Sequence, residues 1–405
     1  MVRWLLVDLN SYFASVEQQL RSELRGKPVA VVPLIADTTF CIAASYEAKA
    51  FGVKTGTRVG DAKKMCPGLL LVEARHAKYV EYHTRIVTAV ESCVPVAAVL
   101  SIDEMACQLT GSQREVEKAV ALAAKIKQTI YADVGEMLRC SVGIATNRFL
   151  AKVASDMQKP DGLVVITQAD LPQKLYPLKT RDFPGIGANM EKRLAQRGIV
   201  TAEQLLNLSK PEMKNIWQGI IGERYWYWLR GEDLTETLTR RRTVGHSHVL
   251  PPKMRTPTDA FAIAQQLLHK AAARLRRMHY WASHLRVDVK FMNRTSWTDH
   301  ISFVESQDTL TLLEALQKLW KNLPQGKLLA VGVTLFDLVH DSAHNFSLFS
   351  DEVKRTRLSE AMDKLNTKYG GHLLHFGGMH ALQAAAPTRI AFTNIPSPED
   401  FDFDE

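Results

Sequence analysis

The sequence predicts an α+β protein of several domains, and three successive patterns along the chain predict it. Up to residue 166, apolar runs of strand length alternate with helical periodicity, which suggests a sheet covered by helices on one face. From 167 the pattern becomes short helices joined by turns. From 243 it becomes β-α-β-β-α-β, the order of a separate split-βαβ module. A chain of 405 residues has room for about two to four domains.

The elements follow in order. "RWLLVDLN" reads as a strand that ends in Asp8, and its apolar stretch is too short and lacks the small-residue cleavage site of a signal peptide. Residues 28–33 and 40–45 are further apolar runs of strand length. Residues 46–52 form a short helix stopped by Gly52, and 61–66 another stopped by Pro67 and Gly68. Helical spacing recurs over 76–93. An apolar run over 94–109 follows, interrupted by Asp103 and Glu104. A helix is expected over 112–131, a strand over 138–145, a helix over 146–157 and a strand over 162–166. The last module has strands at 243–250, 284–292, 297–305 and 328–339, with helices at 257–279 and 308–322. One more helix is expected near 353–369, and the Pro-rich acidic end is expected to be disordered.

Composition narrows the function classes. No apolar run approaches the roughly 20 residues of a membrane helix. The five cysteines (Cys41, Cys66, Cys93, Cys107, Cys140) contain no C-x-x-C pair and no zinc spacing, and read as buried free thiols in a reducing cytosol. Residues 240–300 hold twelve Lys or Arg against three Asp, a local surplus of +9 that exceeds the +8 of the whole chain. Such concentration suggests a polyanion partner, because each neutralised phosphate releases condensed counterions. A solvated basic face without a ligand is the alternative.

Asp8 ends one strand, and Asp103 and Glu104 lie in another. If those strands are neighbours, three acids converge and need a cation, since unpaired carboxylates raise one another's pKa. Oxygen-only ligands favour Mg²⁺, with Mn²⁺ as a substitute, over zinc. Two such ions about 3.5–4 Å apart hold a phosphate and activate a hydroxyl for in-line attack. Adjacent strand residues face opposite sides, so both acids reach one site only near a strand end, bulge or turn. Three surface acids with no joint role are the alternative. Further on, "FPGIG" opens a basic helix, with Gly185 and Gly187 in the turn and Lys192 and Arg193 behind it. This is the helix-hairpin-helix pattern, in which glycine amides at a helix start meet a DNA phosphate. An ordinary packing element is the alternative.

The stretches "VDLNSYFASVEQ" (7–18), "ASYEAKAFGVKTG" (44–56), "LSIDE" (100–104), "SVGIATNRFLAKVASDMQKPDG" (141–162) and "FPGIG" (183–187) resemble those of Y-family (translesion) DNA polymerases of the bacterial polymerase IV and V type, in that family's order and spacing over about 1–340. The resemblance implies a right-hand polymerase: palm (1–10 and 76–166), fingers (11–75), helical thumb with the helix-hairpin-helix (167–232), linker (233–241), little finger (242–340) and a C-terminal extension (341–405). It makes Asp8, Asp103 and Glu104 the catalytic metal ligands, with the Leu9 carbonyl. Phe13 takes the steric-gate position that rejects a ribose 2′-OH. Tyr46 and Lys159, with Lys49 and the Tyr12 backbone amide, meet the incoming triphosphate. Arg241, Arg242, Arg255, Lys290 and Arg294 join the helix-hairpin-helix as expected DNA contacts.

The chain departs from the family pattern in places. Lys49 stands where Arg is common, exchanging a two-pronged phosphate fork for a point charge. "MACQ" (105–108) replaces the common "AYLD". "NFSLF" (345–349) resembles a sliding-clamp docking peptide with Asn345 in place of Gln, and would insert Phe346, Leu348 and Phe349 into an apolar pocket. "LSEAMDKLNTKYG" (358–370) resembles the C-terminal extension of polymerase V-type proteins.

The implied enzyme is a low-fidelity, template-directed DNA polymerase that extends primers across damage by two-metal nucleotidyl transfer. Its partners would be primer-template DNA, deoxynucleoside triphosphates, a sliding clamp and accessory repair proteins, in a bacterial cytoplasm beside the nucleoid and away from membranes. A catalytically weak scaffold that grips DNA and the clamp is the second reading. A nucleotide cyclase on a similar palm is the third, and the basic module and "FPGIG" count against it.

Overall fold

A computed structural model of the chain describes residues 1–235, 242–344, 350–369, 374–377, 390 and 395–396, with backbone alone at 350–352. They form two compact units: residues up to 235 with Ile390, Ile395 and Pro396, and residues 242–377.

In the first unit, β1 (Trp4–Leu9) is buried along nearly its whole length, as suits a strand with neighbours on both edges. Ser11 takes a left-handed conformation (φ 51°) and turns the chain directly into α1 (Tyr12–Leu20). β2 (Val29–Val32), β3 (Ala43–Ala44), α2 (Tyr46–Ala50), α3 (Val59–Met65) and β4 (Leu70–Glu73) make a small lobe with the strand order β3-β2-β4. The expected strand over 40–45 shrinks to two residues. β4 was not foreseen, because its pairing with β2 is parallel and non-local and its four residues are too few to show a period.

Then come α4 (His76–Glu91), β5 (Val96–Val99), β6 (Glu104–Gln108), α5 (Val116–Thr129), β7 (Cys140–Ala145), α6 (Arg148–Met157) and β8 (Leu163–Ile166). The sheet order is β5-β6-β1-β7-β8, with β1 antiparallel to both β6 and β7. The apolar run 94–109 is therefore a hairpin, β5-turn-β6, and the two acids stand at its turn. α6 lies against β7, β1 and β8. Gly143 of β7 makes that approach possible, since a Cβ there would lie 2.0 Å from the Ala151 carbonyl oxygen and 2.4 Å from the Ser155 amide nitrogen.

Four short helices follow: α7 (Ala188–Ala195), α8 (Ala202–Leu206), α9 (Lys210–Trp217) and α10 (Ile220–Trp228). Thr201 with Gln204 and Ser209 with Glu212 form capping boxes that start α8 and α9. Their apolar faces, with Phe183, Leu194, Leu205, Met213 and Tyr225, close over Leu150, Ala151 and Ala154 of α6.

The second unit follows its expected order: β9 (Thr243–Val249), α11 (Pro257–Arg277), β10 (Tyr280–Phe291), β11 (Ser296–Ser306), α12 (Thr309–Trp320) and β12 (Leu328–His340). All neighbours in the sheet β11-β10-β12-β9 are antiparallel. β9 and β10 thus run parallel with β12 between them, which is the split βαβ arrangement. Alternate residues Leu285, Val287 and Val289 of β10 and Val331, Val333 and Leu335 of β12 pack under both helices. Arg276 is 8% exposed and holds α13 (Ser350–Tyr369) through Asp363 at 2.6 Å. The cysteines are free thiols, four buried and Cys93 half-buried, and burial pushes Cys107 and Cys140 up to about 12. Among the described residues, no helix is long and apolar enough to cross a membrane.

Candidate active site and nucleic-acid interface

The sheet register brings the acids together. Asp8, 3% exposed, is the cross-strand partner of Glu104. The Leu9 amide donates to the Asp103 carbonyl at 2.8 Å and draws the hairpin turn onto β1. Ser101 Oγ donates to Asp103 Oδ1 at 2.6 Å. Buried His83 of α4 bonds through Nδ1 to the Ile102 carbonyl at 2.8 Å and steadies the turn from beneath. Burial there holds the His83 pKa below the usual histidine value. Burial raises the pKa of both Asp103 and Glu104, and repulsion from Asp8 adds to it, while Ser101 and Lys152 respectively work against it.

Two lysines answer that negative charge. Lys152 of α6 lies 2.5 Å from Asp8 and 2.9 Å from Glu104. Lys159 lies 2.8 Å from Asp8. Asp156, one turn after Lys152, accepts from both lysines, at 3.0 and 2.8 Å. Burial alone would lower both lysine pKa values, but attraction to Asp8, joined by Glu104 and Asp156 at Lys152 and by Asp156 at Lys159, raises them above the usual lysine value. Among the described residues, no group of three or more His, Cys, Asp or Glu side chains is arranged to hold a metal ion. The acids meet through ammonium groups.

Asn10 fixes the loop that carries Lys159. Its Oδ1 accepts from the Asp161 amide at 2.7 Å, and its Nδ2 donates to Ser141 Oγ at 3.1 Å. The remaining nucleotide candidates surround the same acids. Tyr46 opens α2 facing Ser11, Lys159 and Asp8, and its pKa is raised, burial being the largest cause. Lys49 donates to Ser11 Oγ at 2.7 Å and sits 4.3 Å over the Tyr46 ring. Burial, then repulsion by Lys159, lowers its pKa. Tyr12 is buried and spends its hydroxyl on the Tyr79 carbonyl at 2.6 Å. Phe13 stacks on Tyr79 at 4.3 Å with rings 15° apart. Tyr79 is held in turn by the fully buried Glu17 at 2.8 Å, which also pairs with Arg21 and Arg75. Lys152, Asp156, Asn10 and Tyr79 were not singled out from the sequence. Only the i, i+4 spacing of the first two carried any signal.

The turn before α7 has Gly185 at φ +89°, which requires glycine, and Gly187 as the N-terminal cap with open space around it. Tyr225 donates its hydroxyl to the Pro184 carbonyl and braces the turn. Lys192 is exposed, while Arg193 donates to the Ile216 carbonyl at 3.1 Å. In the second unit Arg242, Lys290 and Arg294 are exposed. Arg255 is half-buried, donating to the Leu250 carbonyl at 3.2 Å. The basic surplus counted from the sequence is smaller at the surface, because Arg276 is buried and holds α13. Arg241 and the peptide 345–349 lie outside the described residues, as does nearly all of the acidic end.

Comparison with known proteins follows the same division. Residues 7–156 match the impB/mucB/samB family, and residues 241–348 match that family's C-terminal domain. The chain is 32% identical to DNA polymerase IV of Moorella thermoacetica, over 92% of this chain and 94% of that one. It is 31% identical to DNA polymerase IV of Pelotomaculum thermopropionicum, over 91% and 93%. A solved Y-family DNA polymerase chimera of Dbh and Dpo4 superposes with a TM-score of 0.71 at 24% identity, covering 84% of this chain and all of that one. An insertion ternary complex of Dbh DNA polymerase superposes at 0.58 with 25% identity and covers the same 84%.

Proposed function

The chain belongs to the impB/mucB/samB family of Y-family translesion DNA polymerases, and on that premise we propose that it extends primers with low fidelity across damaged templates, by nucleotidyl transfer at Asp8, Asp103 and Glu104. The observation that carries the reading is the meeting of these three acids where β1 ends and β6 begins, with Asp8 facing Lys159, Lys49 and Tyr46.

The donor set suits Mg²⁺ or Mn²⁺ by its chemistry, while the described side chains as they stand are paired with ammonium groups and form no metal-holding cluster. The set is all oxygen, its Asp103 and Glu104 carry charge that burial leaves undercompensated, and a cationic group already sits between Asp8 and Glu104. Asp8, Asp103, Glu104 and the Leu9 carbonyl would hold the ions. Bound there, such ions neutralise phosphate charge and lower the pKa of the attacking 3′-hydroxyl.

The other side chains bind and orient. Lys159, Lys49 and Tyr46 offer two ammonium groups and a hydroxyl to the triphosphate of a deoxynucleoside triphosphate. Positioning and charge complementarity of this kind supply most of the catalysis in phosphoryl chemistry. Phe13, pinned flat on Tyr79, lies beneath the sugar and excludes a 2′-hydroxyl. The Gly185–Gly187 turn and Lys192 grip one phosphate of the primer-template. Arg242, Lys290 and Arg294 add sequence-independent charge. The peptide 345–349 is read as docking on a sliding clamp.

Primer extension with Mg²⁺ on intact and lesion-bearing templates tests the function. Extension is expected on both, and Asp103→Ala is expected to abolish it. DNA binding without nucleotide addition in the parent would leave an accessory scaffold, and a cyclic product without primer would leave a cyclase.

A further inference from the structure

Lys152 has no task in the scheme above. Its Nζ lies 2.5 Å from Asp8, 2.9 Å from Glu104 and 3.0 Å from Asp156. Two of these three carboxylates belong to the site on the sheet. The third lies one turn further along its own helix and is held at 2.8 Å by Lys159 as well. The ammonium can therefore leave Asp8 and Glu104 by rotation of its own side chain and keep a carboxylate partner throughout. Asp8, buried, and Glu104, half-buried, are cross-strand neighbours on two interior strands and repel each other when no cation lies between them.

We infer that Lys152 is a displaceable counterion, which bridges Asp8 and Glu104 while no divalent ion is bound and withdraws onto Asp156 when one enters. The inference rests on the reading that Asp8 and Glu104 hold divalent ions. It makes Lys152 and Asp156 positioning residues with opposite effects. Lys152 competes with the ion for its ligands, and Asp156 relieves that competition by giving the ammonium another place. An ion pair that serves only to brace α6 against the sheet has no such opposition, and losing either member would loosen the carboxylates alike.

The test is Mn²⁺ binding to the full chain without DNA or nucleotide, read as free Mn²⁺ by electron paramagnetic resonance, with thermal melting in EDTA and in saturating Mn²⁺. Lys152→Met is expected to tighten Mn²⁺ binding by about tenfold, since it removes one competing unit charge at a partly buried site. It is also expected to melt lower than the parent in EDTA, with the gap closing in saturating Mn²⁺. Should that variant fail to fold, Lys152→Gln keeps a donor to Asp8 and carries the same expectation at several-fold. Asp156→Asn is expected to weaken Mn²⁺ binding several-fold. A folded Lys152 variant that binds no more tightly than the parent, or Asp156→Asn binding more tightly, overturns the inference and leaves the metal reading standing. If the parent and Asp8→Asn bind Mn²⁺ equally, the metal reading itself fails and takes the inference with it.

Discussion

Gly143→Ala probes the packing that assembles the site. The glycine sits on β7 between Leu6 of β1 and Val164 of β8, beneath α6. An alanine Cβ would lie 2.0 Å from the Ala151 oxygen, 2.4 Å from the Ser155 nitrogen and 2.9 Å from the Ala154 Cβ. The two closest atoms are helix backbone, so no rotamer change relieves them. Bringing the closest atom back even to 3.0 Å requires α6 to lift by about 1 Å, at the upper end of the cost of overpacking, about 3 kcal/mol. At about 2–4 °C per kcal/mol for a unit of this size, the melting temperature should fall by about 6–12 °C. The same lift carries the loop that follows α6, and with it the triphosphate-binding Lys159, away from Asp8, which it now reaches at 2.8 Å. A misplacement of about 1 Å at a reacting centre costs on the order of a hundredfold in rate. The assays are thermal melting and single-nucleotide primer extension, with Gly68→Ala as the control, since nothing lies within 4 Å of a Cβ there. A Gly143→Ala protein that melts with the parent and extends primers at the parental rate would refute the argument that close helix–sheet contact sets the site.

Phe13→Ala removes the ring stacked on Tyr79 and should admit ribonucleotides in a competition assay, whereas unchanged sugar discrimination would place the gate elsewhere. Gly187→Ala should leave melting unchanged, because the added Cβ meets nothing within 4 Å, yet weaken DNA binding by crowding a phosphate. Gly185→Ala, at φ +89°, should lower the melting temperature outright, and equal behaviour of the two would deny the turn a phosphate contact. Burial, aided by Arg276, lowers His269 of α11 from 6.5 to about 4, while Asp363 opposes the shift and His375 and Lys270 add to it. Between those values the unfolded chain takes up a proton that the folded unit refuses, so stability falls as pH drops from about 7 to about 4, by about 3 kcal/mol. His269→Leu should flatten that slope in chemical denaturation, and an unaltered slope would assign the acid sensitivity to other groups.

Much of the architecture was readable from local pattern. α6 was legible as a helix over 146–157, and the structure adds that Asn147 caps it, its side chain accepting from the Leu150 amide. The second unit showed every strand and helix in order, because each strand there alternates between a helix-covered face and an open one. β4 escaped because its pairing is non-local, and the short β3 was overread because buried small residues fit a loop as well as a strand. Arg276 counted as basic surface in one dimension and proved to be an internal strut. Lys152 and Asp156 were visible only as an ordinary i, i+4 pair.

The sequence by itself determined the family, the alternating elements and the identities of the acids, since motif chemistry and periodicity are properties of neighbouring residues. Tertiary structure alone decided that the acids stand at a hairpin turn opposite Asp8, and that ammonium groups from α6 and its following loop lie among them. Both depend on sheet register and on how closely one helix approaches one glycine, distances set between segments far apart in the chain.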